Sequence, residues 1–263
     1  MQYDPIKDRV SEIIRLFPAV RKVFYTVLDM ILLRQRYVKR GIQKYAPAGE
    51  EFLFYDAGAG FCQYSHFVLK RWRRARVFAT DLKCGFLSDF AFTATASFPG
   101  RFSYFPADLQ YFTPKNKYDM ALAIDILEHI EDDRAVLKNF HEALKDGGHL
   151  IISTPSDTDE AAKFTEEHVR PGYNKAKLED KLRDAGFEIV ESLYSYGFWG
   201  ALAWRVMIKH PLLLLQRSKL LLLPVIPYLI LLYPIFELMM RLDMKTMNKS
   251  GTGILIVARK VVC

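Results

Sequence analysis

Cysteine is scarce in this chain: three residues, Cys62, Cys84 and Cys263, with neither metal-type spacing nor a disulfide framework. That excludes a stapled secreted scaffold and a thiolate metal site, and points to a reduced, cytoplasmic setting. Internal repeats are missing, which excludes a solenoid or propeller. The N-terminus (MQYDPIKDR) carries mixed charges and no early apolar core, so no signal peptide is expected. The one long charge-free run, residues 220–236, has 17 residues and three prolines, the short limit for a membrane span. No metal is expected in the site.

Charge is present but uneven. Residues 1–45 hold ten Lys/Arg against four Asp/Glu, and residues 201–250 hold seven against two. Residues 46–200 hold 18 basic and 24 acidic residues, so the centre is acidic and both flanks are basic. The flanks are also rich in large apolar residues. Basic and amphipathic together point to an anionic membrane surface through 201–240, and away from nucleic acid. Solvated helix faces are the plainer alternative.

The flanks bracket an α/β pattern. Residues 6–17 and 19–44 read as two helices broken at Pro18; in the second, Val20, Val23, Phe24, Val27, Leu28, Ile31 and Leu32 form one apolar face. Strands are expected at about 52–57, 76–80, 101–105, 118–124, 149–153, from 187, and 253–258. Helices at about 62–73, 84–97, from 125 to 145, and 174–185 alternate with them. Asp146-Gly147-Gly148 reads as a turn into the fifth strand. The alternation predicts a doubly wound, mostly parallel, Rossmann-like sheet. The division expected is 1–45 N-terminal helices, 46–200 cofactor-binding core, 201–250 hydrophobic helical insertion and 251–263 last strand.

The organising stretch is Phe52-Leu53-Phe54-Tyr55-Asp56-Ala57-Gly58-Ala59-Gly60-Phe61-Cys62, a strand ending in an acid and two glycines before a helix. Glycines there let the backbone pass close under a ligand, and the helix start offers free N–H groups. Four acids, Asp56, Asp81, Asp108 and Asp125, fall at the carboxyl ends of strands, where such sheets bind ligands. One alone would be an ordinary helix cap. Four suit a ligand carrying hydroxyls, an amine and a cation. Asp81 lies 21 residues past Gly60, where a ribose diol would find an acceptor. A nicotinamide cofactor would want glycine at position 63, which is Gln.

These residues resemble a class I S-adenosylmethionine-dependent methyltransferase of the broad type 11 group that includes quinone and lipid methyltransferases. The likeness is carried by Asp56-Ala57-Gly58-Ala59-Gly60, Thr80-Asp81, Ala107-Asp108-Leu109, Ile124-Asp125-Ile126-Leu127-Glu128-His129-Ile130 and Leu144-Lys145-Asp146-Gly147-Gly148. It covers about 52–155 and continues more weakly to about 196. The resemblance implies a seven-stranded sheet with an antiparallel last strand. It implies S-adenosylmethionine as cofactor, with Asp56, Gly58 and Gly60 lining the methionine end and Asp81 and Leu82 at the ribose. Asp108 would accept from the adenine amino group, Leu109 would pack on the ring, and Asp125 would lie near the methyl group. The third glycine of the family's loop is Cys62 here.

Glu128 and His129 follow the fourth strand directly, and a histidine there suits proton transfer near neutrality. A helix-start histidine bonded to backbone is the alternative. His168, Arg170 and Tyr173 fall in the loop that, in such proteins, closes over the acceptor. An antiparallel last strand requires both ends of the insertion to return to one side, so a single membrane crossing is excluded. The expectation is a peripheral enzyme on the cytoplasmic membrane face that methylates a hydrophobic, lipid-like or quinone-like acceptor, an oxygen favoured. A soluble small-molecule methyltransferase with the insertion as a homodimer interface is the first alternative. A cofactor-binding interaction protein without turnover is the second.

Overall fold

A computed structural model describes residues 18–48, 51–158, 169–217 and 222–261. The helix expected over 6–17 and His168 lie outside the described residues.

Seven strands form one sheet: β1 (Phe52–Ala57), β2 (Ala75–Asp81), β3 (Phe102–Pro106), β4 (Tyr118–Ile124), β5 (Leu144–Pro155), β6 (Phe187–Ser195) and β7 (Gly253–Lys260). Their order is β3-β2-β1-β4-β5-β7-β6. β1 to β5 are parallel, and β7 runs antiparallel between β5 and β6. The central strands read as unbroken apolar runs because helices cover both faces; Phe52, Phe54, Met120, Leu122, Ile151 and Val257 are fully buried. The order reverses between β1 and β4, so their carboxyl ends frame the crevice where ligands enter such folds.

One face is covered by α5 (Asp133–Ala143) and α6 (Lys175–Asp184). The other carries α3 (Gln63–Arg71) and α4 (Cys84–Ser97), together with both chain flanks. The N-terminal helices are α1 (Pro18–Ile31) and α2 (Leu33–Tyr45). The insertion is α7 (Phe198–Trp204), a π-helical turn (Arg205–Lys209), α8 (His210–Arg217) and the long α9 (Leu222–Lys245). Among the described residues, no helix is long and apolar enough to cross a membrane.

The insertion is fastened to α2. Arg36 forks onto both carboxylate oxygens of Glu237, at 3.0 and 2.5 Å, and this pair draws the Glu237 carboxyl down to about 2. Asp243 is fully buried and accepts from the Tyr37 hydroxyl (2.8 Å) and the Gly200 amide (3.0 Å). A buried acid with both oxygens engaged fixes register as well as position.

Two local readings need correction. The helix expected over 19–44 breaks at Leu32, which takes extended backbone (φ −102°, ψ 103°). No proline or glycine marks the break. It lets α1 turn away over the ligand edge while α2 stays on the sheet. The Asp146-Gly147-Gly148 stretch belongs to β5, which already pairs with Tyr118 through Leu144; Gly147 (φ 73°) and a register shift absorb the irregularity.

Candidate active site

The glycine loop closes β1 onto α3. Gly58 has φ 66°, and a side chain there would place Cβ 2.3 Å from Cγ2 of Ile126 on the loop after β4. Gly60 has φ 49° and nothing within 4 Å of its Cβ direction. One glycine is required by packing, the other faces open space. Cys62, at the position of the family's third glycine, also takes a left-handed backbone, φ 58°, which costs an L-residue roughly 1 kcal/mol.

Asp81, at the end of β2, holds this loop. Its carboxylate accepts from the Gly60 amide at 2.8 Å and the Lys83 amide at 2.9 Å. The Ala107 amide donates to the Asp81 carbonyl at 3.1 Å, so the loops after β2 and β3 are neighbours. Asp108 caps its own turn by accepting from the Gln110 amide at 2.9 Å. Leu109 is buried beside it, its carbonyl held by Asn139 at 2.8 Å. Leu82 is 54% exposed and offers an apolar edge at the same rim.

Asp56 is buried at the start of the loop, accepting from the Ser65 amide (3.1 Å) and hydroxyl (2.6 Å). Burial outweighs those donors and pushes its carboxyl up to about 7, with the nearby Asp81 charge adding to the rise. Between pH 4 and 7 the folded protein therefore keeps a proton that the unfolded chain has released. Its contribution to stability falls as pH rises through that window and levels off above 7. Asp56→Asn mimics the protonated form. Relative to that variant, the ligand-free wild type is expected to lose ~2–4 kcal/mol of unfolding free energy between pH 5 and 8, read by denaturant titration. A pH-independent difference would contradict the assignment.

Asp125 ends β4 with a left-handed backbone, φ 49°, its amide bonded to the Ser153 carbonyl at 2.8 Å. A 3-10 turn, Leu127–His129, follows. Glu128 is buried and accepts from Thr154 at 3.0 Å, and burial pushes its carboxyl upward. Its carbonyl accepts from the amides of Val169 and Arg170, tying the loop after β5 to this turn. His129 is half-buried at the end of the turn.

Tyr173 and Arg170 converge on Asp133, the buried first residue of α5. Tyr173 donates to Asp133 at 2.7 Å and to the Leu127 carbonyl at 3.1 Å. Arg170 and Lys181 reach the same carboxylate at 3.0 and 2.5 Å. The Tyr173 hydroxyl is thus engaged by the clip that holds the 127–129 turn.

Contacts not expected from the sequence complete the site. Tyr25 on α1 donates to the Phe61 carbonyl of the glycine loop at 2.5 Å, and Phe24 meets the Phe61 ring edge-on at 5.1 Å. Phe61 in turn packs on Phe86 of α4 at 4.8 Å. Arg34 on α2 pairs with Asp125, and its amide donates to the Tyr196 hydroxyl at 3.1 Å. Tyr25 and Arg34 sit on a basic amphipathic flank, and nothing in its local pattern distinguishes them from surface residues.

A methyltransferase-domain family model matches residues 43–192, more than half of the chain. This chain belongs to the methyltransferase-domain family. It is an S-adenosylmethionine-dependent methyltransferase. No curated protein shows a significant sequence match to it. Its fold is similar to that of the [4+2]-cyclase SpnF, at 16% identity over 86% of this chain and 81% of that one, TM-score 0.61. It is also similar to Haemonchus contortus phosphoethanolamine N-methyltransferase 2 in complex with S-adenosyl-L-methionine, at 16% identity and TM-score 0.59. That match covers 84% of this chain and 51% of the other. The N-methyltransferase NodS from Bradyrhizobium japonicum WM9, in complex with S-adenosyl-L-homocysteine, is similar at 18% identity over 65% of this chain and 83% of that one, TM-score 0.53.

The residues present fit the cofactor. Open space lies above Gly60, and acids stand at four strand ends. The Nε of Arg34, which pairs with Asp125, and the Oε1 of Gln63 are buried with no hydrogen-bond partner among the described residues.

Proposed function

We propose that this methyltransferase works at a membrane surface and methylates an apolar, lipid-like acceptor, with oxygen as the favoured acceptor atom. The outer face of α9 carries the reading. Pro224, Pro227, Ile230, Leu231, Pro234, Ile235 and Leu238 recur every three or four residues and are all exposed. Ile230 and Leu231 are 70% and 78% exposed. The stripe ends in exposed Arg241 and Lys245. The inner face, with Val225, Phe236, Met239 and Met240, is buried on the core. Water is a poor partner for such a stripe, whereas a headgroup boundary takes the apolar side chains and pairs the cations with lipid phosphate. α1 exposes a second apolar set, Val20, Val23, Val27 and Met30.

In the site, Asp56, Gly58 and Gly60 line the methionine end, Asp81 and Leu82 meet the ribose, Asp108 and Leu109 meet the adenine, and Asp125 faces the reacting end. When bound, the cofactor supplies an electrophilic methyl group on a sulfonium. The chain's part is to orient the acceptor and keep water out. His129 takes the proton of an acceptor hydroxyl. Buried Glu128 fixes the turn that carries His129, and Tyr173 holds that turn from behind through Asp133 and Leu127. In this reading the loop after β5, which carries Arg170, covers the acceptor.

Incubating the enzyme with methyl-labelled cofactor and a total lipid extract is expected to move label into the organic phase. Label appearing only on water-soluble acceptors in a matched metabolite extract would remove the lipid assignment and leave the methyltransferase.

A further inference from the structure

Arg34 is the second residue of α2, just past the break at Leu32, and its guanidinium pairs with Asp125, 91 positions along the chain. Both side chains keep partial access to solvent, 27% and 31%. Arg34 Nε, both amide atoms of Gln35 and Gln63 Oε1 are buried without a hydrogen-bond partner among the described residues. Arg34 lies close enough to Tyr64 and Glu128 to act on the acidity of both. These atoms belong to the first turns of α2 and α3, which meet at the end of β4. Buried polar groups left unpaired cost free energy, and a polar ligand removes that cost.

An acid beside a guanidinium is the charge image of an α-amino acid, whose ammonium and carboxylate stand two bonds apart on one carbon. The Tyr64 and Tyr196 hydroxyls stand beside Arg34, with the buried Glu128 carboxyl also within its reach. We propose that Arg34 binds the carboxylate at the methionyl end of the cofactor while Asp125 faces its ammonium, so the ion pair opens by exchanging partners. This rests on the cofactor reading given above. Net charge in the site is conserved in the exchange. A ligand without the amino-acid moiety leaves the pair intact.

The consequence reaches beyond one contact. Arg34 rides on the N-terminal helices, and α1 of those helices grips the glycine loop through Tyr25 and Phe24. Seating of the helices is thereby linked to occupancy of the site, and selection against a decarboxylated cofactor is carried by a residue outside the matched domain, which starts at 43.

Calorimetry with three ligands tests this: S-adenosylhomocysteine, decarboxylated S-adenosylmethionine and 5′-methylthioadenosine, which lacks the amino acid. Arg34→Gln is expected to weaken S-adenosylhomocysteine by roughly 10- to 100-fold, the range for a lost charge-assisted pair. The other two ligands stay within about twofold of wild type, an ordinary spread for a contact that is not made. Asp125→Asn weakens the first two and spares the third. Arg34→Lys keeps the charge without the fork and falls between wild type and Arg34→Gln. Equal losses on all three ligands in Arg34→Gln would show a folding role and overturn the inference, as would unchanged S-adenosylhomocysteine affinity in a variant with a normal melt. If wild type binds none of the three, the cofactor reading fails and the inference falls with it.

Discussion

Asp81→Ala is expected to abolish S-adenosylmethionine binding while leaving a folded protein. Two effects act in the same direction. In the proposed placement of the cofactor, the carboxylate at the end of β2 accepts from the ribose hydroxyls. It is also what holds that loop, through the amides of Gly60 at 2.8 Å and Lys83 at 2.9 Å. Hydrogen bonds to a charged acceptor contribute about 1.5–3 kcal/mol each. Loss of two ribose contacts alone therefore predicts a fall in affinity of at least 100-fold, and a loosened Gly60 adds to it. Global stability should fall less, because the sheet pairing of β2 with β1 and β3 does not involve this side chain. Isothermal titration against S-adenosylmethionine, with a thermal melt as the folding control, reads both numbers. Normal affinity in a folded variant would sink the placement of the cofactor along these strand ends.

The second large effect concerns the outer face of α9. Co-sedimentation with anionic vesicles is expected for the wild type, weakened by salt as the basic residues are screened. Leu231→Glu with Leu238→Glu should remove it. The two leucines are 78% and 57% exposed, so neither packs in the core, and the melt should hardly move. Each large aliphatic side chain transferred from water contributes ~1.5–3 kcal/mol, and each Lys or Arg near an anionic surface about 1 kcal/mol. Replacing two leucines by acids thus lowers vesicle partition at least ~100-fold. Arg241→Gln with Lys245→Gln should cost about 30-fold and flatten the salt dependence. A wild type that stays in solution with such vesicles at low salt, yet has the mass of a dimer dissociated by the leucine variants, would make the stripe a subunit interface instead.

The sheet and its ligand edge were legible early because each strand announces itself locally. Short apolar runs of four or five residues end in an acid at Asp56, Asp81 and Asp125, and a chain that alternates such runs with amphipathic helices has few topologies open to it. The insertion was legible in composition and in the demand that both of its ends return to one side, which follows from an antiparallel β7. Two boundaries were not. The break at Leu32 lies inside an unbroken apolar face and is set by what α1 and α2 each cover. The start of β5 lies in a glycine pair that reads as a turn, and only pairing with Tyr118 makes it strand.

Sequence alone determined the strand-end acids, the glycine loop and the family they belong to, since these depend on spacing within a few tens of residues. Tertiary structure alone decided what closes the site. Tyr173, a candidate for the acceptor pocket by its loop, donates to Asp133 and Leu127 and braces the turn from behind. Arg34, one of several cations on a basic helix, reaches Asp125 across 91 positions. Tyr25 reaches Phe61 in the same way. Helical periodicity says which face of a segment is apolar, but which face meets which strand end is settled by long-range packing, and no local pattern carries that information. The same holds for α9. Up to Phe236 its composition is apolar on every face, and only the packing of Phe236, Met239 and Met240 against the core shows which side, that of Leu231 and Leu238, is left facing outward.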